Sequence, residues 1–341
     1  MGRLVVVSFR LGSTDGVSIE AAKWIGALRE LGHRVTSVAG SGVADEIVPG
    51  LAIRDERPLD EHQLEAALRG ADVVVVENMI SLPLNVTARD ALSRILDERP
   101  AVIHDHDLAW QRPEWCDEPA PADRPWWRHV TINELSRREL AERGISATTI
   151  YNTFDITPPP GDREATRYDL KVTDERLLLH PSRAIPRKNV AGALRLAEEL
   201  DATLWLLGPA EDGFAEELEH IVSSARVAVR RGALPNRDIH DAYAASDLVV
   251  MPSTWEGFGN PVLESVTHRR ALAVYPYPVL EEIHSFGFQF FDLSDVEEID
   301  TFLTAPDEAM WDNNLDIARA HFNVADLPAR LAPLLESWGL N

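Results

Sequence analysis

Short apolar runs rich in β-branched residues alternate along the chain with segments whose apolar residues recur at helical spacing. Between the first two runs, Val17, Ala21, Trp24 and Leu28 follow such a spacing, and Gly32 ends the predicted helix. Regular alternation of strand and helix predicts βαβ units and parallel sheets. The strands predicted in the first half are residues 4–9, 34–39, 73–77, 101–104, 129–132 and 148–151.

The same alternation restarts after residues 157–163, TPPPGDR, which cannot continue a helix or a central strand. We therefore predict two Rossmann-like domains, each built on a parallel sheet. The elements predicted in the second half are strands at 176–180, 203–207, 227–229, 248–251 and 271–275 and a helix at 189–200. The predicted organisation is an N-terminal domain at 1–156, a linker at 157–173, a C-terminal domain at 174–316 and a helical segment at 317–341 that packs back on the first domain.

Length and composition are those of a globular protein with room for two cores. The chain has 341 residues, of which 45% are hydrophobic and 26% charged. The single cysteine, Cys116, excludes a disulfide framework and a cysteine-based zinc site. No apolar run reaches the ~18 residues that a membrane-spanning helix needs, and the first residues lack the features of a signal peptide. We therefore predict a cytoplasmic protein without an integral membrane segment.

The formal net charge of −23 narrows the range of partners. An acidic chain is repelled by nucleic-acid phosphates and by anionic lipid headgroups. Nucleic acid is therefore not expected as a partner, and the charge argues more weakly against docking on an anionic membrane.

The strongest local signal for chemistry is the segment 251–265, MPSTWEGFGNPVLES. A buried strand leads into a glycine-containing loop, and Asn260 followed by Pro261 is typical of a helix N-terminus. Backbone N–H groups at such a terminus lack a partner within the helix and bind phosphate. Glu256 in the loop and Glu264 in the first helical turn can accept hydrogen bonds from sugar or ribose hydroxyls. An equally good alternative is that Glu264 only complements the helix dipole.

A second signal is the segment 180–189, HPSRAIPRKN, which is also predicted to run from a strand through a loop into a helix. Ligands bind open parallel sheets at such a position. Arg183 and Lys188 lie five residues apart, so both can point into one crevice and neutralise a diphosphate. Arg187 competes for this role. The alternative is a solvated basic loop.

A third signal, AVIHDHDLAW at 101–110, has two histidines and two aspartates at a strand end. On a strand, His104 and His106 point to one face, and Asp105 and Asp107 point to the other. This alternation disfavours a metal site made from all four side chains, although imidazole and carboxylate both suit several metals. A histidine that contacts substrate and a structural histidine are the other two interpretations.

Taken in order, these motifs make the chain resemble the retaining glycosyltransferases of family 4. Those enzymes have the GT-B architecture, in which two Rossmann-like domains face each other across a cleft. Glu256 and Glu264 match the family's E-x7-E motif, and Arg183 and Lys188 match its R-x4-K pair. Three further segments resemble family patterns, namely LRELGHRV at 28–35, IYNTFD at 150–155 and RGAL at 231–234.

The resemblance implies a role for each matching residue. Glu264 would bind the ribose hydroxyls and Glu256 the donor sugar, and His106 would touch the transferred sugar. Arg183 and Lys188 would neutralise the leaving diphosphate. The other residues implied on the donor side are Phe258, Gly259, Asn260, Gly208, Leu234 and Gly16.

Some positions depart from the family pattern. Asp15 precedes Gly16 where the family usually has two glycines, which puts a carboxylate near the expected acceptor. Asp107 is a second acceptor-side candidate. The usual glycines are absent from 273–281, which reads AVYPYPVLE. These departures leave the donor and the acceptor open.

The resemblance implies a hexosyltransferase that moves a hexose from a GDP- or UDP-linked donor to a hydroxyl acceptor, with retention of the anomeric configuration. A donor phosphate oxygen would take the acceptor's proton. Arg183 and Lys188 would stand in for a metal, so no metal or cofactor is expected. The acidic charge favours a small soluble acceptor. The alternatives are a catalytically silent nucleotide-sugar-binding subunit, a nucleotide-sugar epimerase and, weakest because G-x-G-x-x-G does not follow the first strand, a nicotinamide-dependent dehydrogenase.

Overall fold

A computed structural model describes residues 1–53 and 57–340 and divides the chain into two compact units. The first unit is Met1–Thr153 together with Val324–Asn341, and the second is Phe154–Asn323. Each unit is built on a parallel sheet, as the alternation of strand and helix predicts. Among the described residues, no helix has the length and apolar character needed to cross a bilayer.

The first unit contains a seven-stranded sheet in the order β3-β2-β1-β4-β5-β6-β7, and its paired strands run parallel. Its strands are β1 (Arg3–Leu11), β2 (Arg34–Gly42), β3 (Glu46–Ile47), β4 (Val73–Glu77), β5 (Ala101–Asp105), β6 (Trp127–Thr131) and β7 (Ala147–Thr149). Its first four helices are α1 (Gly16–Glu30), α2 (Glu61–Leu68), α3 (Val86–Ile95) and α4 (Glu134–Glu142). Apolar clusters cover both faces of this sheet, which is why its central strands read as continuous apolar runs.

The second unit contains a six-stranded parallel sheet in the order β10-β9-β8-β11-β12-β13. Its strands are β8 (Leu177–His180), β9 (Thr203–Leu206), β10 (Val229–Arg231), β11 (Leu248–Met251), β12 (Ala271–Val274) and β13 (Phe291–Asp292). Its helices are α5 (Arg163–Leu170), α6 (Val190–Glu199), α7 (Ala215–Ser223), α8 (Ile239–Ala245), α9 (Asn260–Thr267), α10 (Pro278–His284), α11 (Val296–Thr304) and α12 (Glu308–His321).

Residues after the second unit return to the first. Helix α13 (Leu327–Glu336) packs against α1 and buries Leu327, Leu331 and Leu335 in the cluster that also contains Trp24. The predicted helical segment at 317–341 is therefore divided, because its first part belongs to α12 of the second unit and its later part to the first unit.

The stretch predicted as a linker, 157–173, lies inside the second unit and includes α5. Asp162 explains why a helix starts so soon after three prolines, since its carboxylate caps the helix by accepting from the N–H of Ala165. Arg163 and Arg167 then anchor α5 through ion pairs with Asp247. A composition break therefore marks the start of this helix, whereas the boundary between the units falls at Thr153.

Several predicted strands differ in their bounds from the observed ones, among them β10 and β7. The strand predicted at 227–229 begins at Val229 and runs to Arg231, and the strand predicted at 148–151 is Ala147–Thr149. Both lie at a sheet edge, where one side of the strand has no ladder partner and the apolar pattern is weakest.

Candidate active site

The second unit holds a cluster of two cations around one buried carboxylate, made by Glu256, Lys188 and Arg187. Lys188 Nζ donates to Glu256 Oε1 at 2.5 Å, and Arg187 Nη1 donates to Glu256 Oε2 at 2.8 Å. Glu256 and Lys188 are buried, with 6% and 7% of their surfaces exposed. The two loops that carry these residues are also tied through the backbone, because the N–H of Thr254 donates to the carbonyl of Arg187 at 2.9 Å.

The charges of this cluster keep Glu256 ionised. Burial alone would raise the pKa of a carboxyl group, but the nearby charges of Lys188 and Arg187 lower the pKa of Glu256 to about 2. A carboxylate between two cations leaves the cluster with one excess positive charge. That excess suits the binding of an anionic group beside it.

Arg183 forms no hydrogen bond with this cluster, but its charge lies near enough to Lys188 to help lower the pKa of that lysine. Its Nη1 instead donates to Glu211 Oε2 at 2.5 Å. This pair is about one-third exposed, so Arg183 can exchange Glu211 for another anion at small cost. The backbone of Arg183 also lies against Gly208, where an added Cβ would stand 2.5 Å from the carbonyl oxygen of Ser182. Gly208 thus allows the two loops to approach each other.

Helix α9 begins one residue earlier than predicted, at the residue expected to cap it. Asn260 is its first residue rather than its N-cap, and Gly259 is the cap, with φ 90° in the left-handed region. A Cβ on Gly259 would lie 2.4 Å from the hydroxyl oxygen of Tyr277, so only glycine fits there. That hydroxyl donates to the carbonyl of Phe258 at 2.8 Å and holds the loop in front of the helix. Tyr277 belongs to the segment YPYP at 275–278, where the sequence pattern departs from that of the family it resembles.

Glu264 lies in the second turn of α9, not in its first, because the helix starts at Asn260. Its Oε2 accepts a hydrogen bond from the hydroxyl of Tyr243 at 2.6 Å. Tyr243 belongs to α8 and is completely buried, whereas Glu264 is half-buried. The alternative in which Glu264 only complements the dipole at the helix N-terminus is therefore weakened, since that effect fades within the first turn.

Leu234 lies in the turn after β10 and is half-buried. Its carbonyl accepts from the N–H of Arg237 at 3.2 Å. The preceding glycine is tied to the sheet, because Trp205 Nε1 donates to the carbonyl of Gly232 at 2.9 Å. The turn is thus held against β9.

The first unit holds a buried carboxylate between two imidazoles, made by Glu77, His104 and His106. Glu77 Oε2 lies 2.8 Å from His104 Nδ1 and 2.9 Å from His106 Nε2. The register of the sheet creates this contact, because Glu77 pairs with His104 across β4 and β5. As the strand alternation predicts, the two histidines reach the same partner. Asn78 Oδ1 holds the loop that follows by accepting from the N–H groups of His106 and Asp107.

Burial and the two histidines have opposite effects on the pKa of Glu77. Burial raises the pKa of the carboxyl group, but His104 and His106 more than offset it and lower the pKa to about 2. The three nearest donor atoms lie within 4.8 Å of one another, so this is a donor set that a zinc-like ion accepts. The set contains neither Asp105 nor Asp107.

Asp15 and Asp107 have side-chain partners within the first unit, where Gly16 also lies. Asp15 caps α1 by accepting from the N–H of Ser18 at 3.1 Å, and it pairs with Arg10 at 3.1 Å. Gly16 is the first residue of α1. Asp107 Oδ2 accepts from Arg112 at 3.0 Å. The carboxylate of Asp15, at a position where the resembled family has glycine, thus caps α1 and pairs with Arg10.

Sequence reasoning missed two residues that organise these clusters, Glu77 and Tyr243. Glu77 ends the run VVVVE, and a charged residue at the end of a fully buried strand is a usable signal because it needs a partner. Tyr243 lies 21 residues before Glu264 on another helix, and no local pattern connects the two.

Known proteins resemble the chain both in sequence and in fold. Residues 162–298 match the family model for glycosyl transferases group 1, a span that includes Lys188, Glu256 and Glu264. A mannosylglucosylglycerate synthase of Thermotoga maritima is 24% identical, and the match covers 95% of this chain and 97% of that protein.

Two solved structures share the fold over 99% of this chain. HepE of Anabaena, solved in complex with UDP-glucose, has a TM-score of 0.76 and 18% identity, and all of that chain is covered. Sucrose-phosphate synthase of Thermosynechococcus elongatus has a TM-score of 0.75 and 13% identity, with 99% of that chain covered. Together with the family match, these likenesses confirm the predictions of a GT-B fold and of a glycosyltransferase.

Proposed function

We propose that this protein is a retaining glycosyltransferase of family 4 that moves a hexose from GDP or UDP to the hydroxyl of a small soluble acceptor. The observation that carries the proposal is the cluster of Lys188, Arg187 and Glu256, directly ahead of the N-terminus of α9. It offers an excess positive charge to one anionic ligand, next to a helix N-terminus whose dipole also favours negative charge.

The leaving diphosphate is the group that most needs stabilisation. Breaking the bond between the sugar and phosphate passes through an oxocarbenium-like state, and negative charge accumulates on the phosphate oxygens. Preorganised donors aimed at that charge supply the largest single contribution to the rate. Lys188 is held in place by Glu256, and Arg183 is free to turn from Glu211 to the phosphate. These two cations take the role that a divalent metal would otherwise have.

The two glutamates divide the rest of the donor between them. Glu256 lies at the cation cluster and would hold a hydroxyl of the transferred sugar, while Glu264 would accept from the ribose hydroxyls. The acceptor hydroxyl attacks from the face of the leaving group, and a donor phosphate oxygen takes its proton. No second catalytic carboxylate is required for that route.

The acceptor class is supported by the relative and by charge. The Thermotoga maritima relative is named for a product that contains mannosyl, glucosyl and glycerate groups, which are small and water-soluble. A net charge of −23 disfavours a lipid acceptor in an anionic bilayer. The HepE structure holds UDP-glucose, which supports a nucleoside diphosphate hexose as donor.

Thermal unfolding with UDP, GDP, ADP and dTDP, each in large excess and in the presence of EDTA, tests the donor site. A nucleotide at about 100 times its Kd adds about 2.7 kcal/mol to the free energy of unfolding. We expect UDP or GDP to raise the Tm of the wild type but not that of Glu264→Ala. Arg226→Ala is the control, because Arg226 is exposed and forms an ion pair with Glu198, away from the cation cluster. If none of the four nucleotides raises the Tm, the donor site is wrong.

Turnover then separates transfer from its alternatives. The protein is incubated with the matching nucleotide hexose, small sugar and polyol-acid acceptors and EDTA, and the anomeric configuration of the product is determined by NMR. A product with retained configuration is expected. An inverted product, or activity that appears only when a divalent metal is added, would contradict the proposed mechanism. Interconversion of the donor without any acceptor would instead indicate an epimerase.

A further inference from the structure

The carboxylate of Glu264 is held by the hydroxyl of a buried tyrosine. Tyr243 of α8 donates its hydroxyl hydrogen to Glu264 Oε2 at 2.6 Å, although the phenol ring is completely buried. A buried hydroxyl without a partner is costly, so this hydrogen bond restrains the tyrosine and the glutamate together. Both burial and the charge of Glu264 raise the pKa of Tyr243 well above its usual value, so the phenol stays a donor at any ordinary pH.

The ring of His268 packs on Tyr243, and His240 contacts His268 in turn. The ring of His268 stacks on that of Tyr243, with centroids 4.5 Å apart and an angle of 17° between the planes. His268 Nδ1 lies 2.7 Å from the carbonyl oxygen of Glu264, and its Nε2 lies 2.9 Å from His240 Nδ1. A carbonyl oxygen only accepts, so Nδ1 of His268 is the donor. Burial lowers the pKa of His268 to about 4, so Nε2 accepts from His240 at neutral pH.

These contacts define both the position and the orientation of the Glu264 carboxylate. Its backbone carbonyl is bound by His268 and its Oε2 by Tyr243, so neither end of the residue can turn freely. A carboxylate has about four acceptor positions, and the phenol uses one of them. A carboxylate accepts from two neighbouring hydroxyls, as a ribose presents them, only if it is held in one orientation.

We propose that Tyr243 is a positioning residue, which fixes Glu264 so that the site distinguishes a ribose with both hydroxyls from a sugar that lacks them. The inference rests on the proposed function, because it takes Glu264 as the ribose-binding group. Tyr243 itself does not touch the nucleotide. Its effect passes through Glu264, and it therefore appears in the ratio of affinities for ribose-containing and hydroxyl-free nucleotides.

The experiment measures that ratio by isothermal titration calorimetry at pH 7.5 with EDTA. The probes are UDP and GDP, each beside its 2′,3′-dideoxy form, and the proteins are the wild type, Tyr243→Phe, Glu264→Gln and the double variant. For the nucleotide that binds, we expect the wild type to prefer the ribose form about 10- to 100-fold, as hydrogen bonds to a charged group allow. Tyr243→Phe should lose most of this preference while binding the dideoxy form as the wild type does. The double variant should match Glu264→Gln, because the phenol acts only through that carboxylate.

Tyr277→Phe is the matched control, since it also removes a buried hydroxyl in the same unit. That hydroxyl holds the carbonyl of Phe258 rather than Glu264, so its loss should weaken both forms of the nucleotide alike. Because each ratio is measured within one protein sample, partial unfolding of a variant affects both forms equally and cancels.

The possible failures are distinguishable. If Glu264→Gln loses the preference for ribose but Tyr243→Phe keeps it, the positioning role is wrong and the donor site stands. If Tyr243→Phe weakens both forms equally, as Tyr277→Phe should, its role is structural only and the inference is overturned. If the wild type binds both forms equally, the assignment of Glu264 to the ribose is wrong, and the inference falls with that part of the proposed function.

Discussion

Each unit buries one carboxylate with a pKa of about 2, but the two use different partners. Glu77 in the first unit is shared between the imidazoles of His104 and His106. Glu256 in the second unit is shared between Lys188 and Arg187. Burial lowers the pKa of Lys188, but the charge of Glu256 opposes that shift and favours the ammonium form. The cation cluster therefore offers a positive excess to a ligand, whereas the histidine cluster joins the ends of β4 and β5. Similar burial and similar acidity do not imply the same role.

The strongest test of this difference in role is to remove cations from the second unit and measure turnover. Lys188→Ala and Arg183→Ala should each lower turnover by roughly 10²–10³, the effect of losing one preorganised donor at the developing charge. Steady-state kinetics on the identified donor measures the loss. Arg226→Ala should leave the rate unchanged, because its ion pair is at the surface. Near-normal rates in both Lys188→Ala and Arg183→Ala would disprove the role given to this loop.

The corresponding change in the first unit should act on stability instead. Glu77→Gln should lower the free energy of unfolding by about 1–3 kcal/mol, because it weakens hydrogen bonds to two buried imidazoles. Its turnover per folded molecule should fall less than that of Lys188→Ala. Denaturant unfolding and kinetics are measured on the same sample.

The control for that prediction is Asp97→Asn, which makes the same chemical change at an exposed ion pair with Arg124. It should change the free energy of unfolding by less than about 1 kcal/mol. A Glu77→Gln variant that is as stable as Asp97→Asn would mean that the histidine cluster contributes nothing measurable to folding.

The smallest predicted difference between the units is in how their stability depends on pH, and it comes from buried histidines. Burial, aided by the charge of Lys188, lowers the pKa of His180 in the second unit to about 4. The unfolded chain then binds the proton more readily, so stability falls as pH drops from 6.5 to 4. Burial would also lower the pKa of His129 in the first unit, but the charges of Asp105 and Asp123 more than offset this effect, so the pKa is raised. The stability that His129 contributes is therefore fully present below pH 6.5 and is lost as the pH rises through its raised pKa.

Hydrogen exchange followed separately in β8 and β6 measures these opposite trends between pH 4 and 8. His180→Gln should remove the loss of protection in β8 at low pH, and His129→Asn should remove the loss in β6 at high pH. Parallel trends in both strands would mean that partners other than these histidines control the pH dependence.

Much of the fold could be predicted from the sequence, because parallel strands buried on both faces must be nearly continuous apolar runs. The runs at 73–77 and 248–251 match β4 and β11 residue for residue. The end of the first domain, predicted at 156, lies three residues after the observed boundary at Thr153. The linker could not be predicted, because the prolines that suggested it precede α5 inside the second unit.

The candidate site was predictable where it is local in sequence. A strand, a glycine loop and a proline near a helix start lie within a few residues of each other, and only the cap was misplaced, from Gly259 to Asn260. Contacts that depend on register or on packing between helices were not predictable. Glu77 meets His104 through strand pairing, and Tyr243 meets Glu264 between α8 and α9.

The return of residues 324–341 to the first unit has a consequence for biosynthesis. A ribosome completes the continuous second unit before it makes α13, which buries Leu327, Leu331 and Leu335 against the first unit. Until then the apolar surface around Trp24 lacks its cover, and a chaperone can recognise such a surface on a nascent chain. Of the two units, the one that begins earlier in the chain is therefore the later to complete its core.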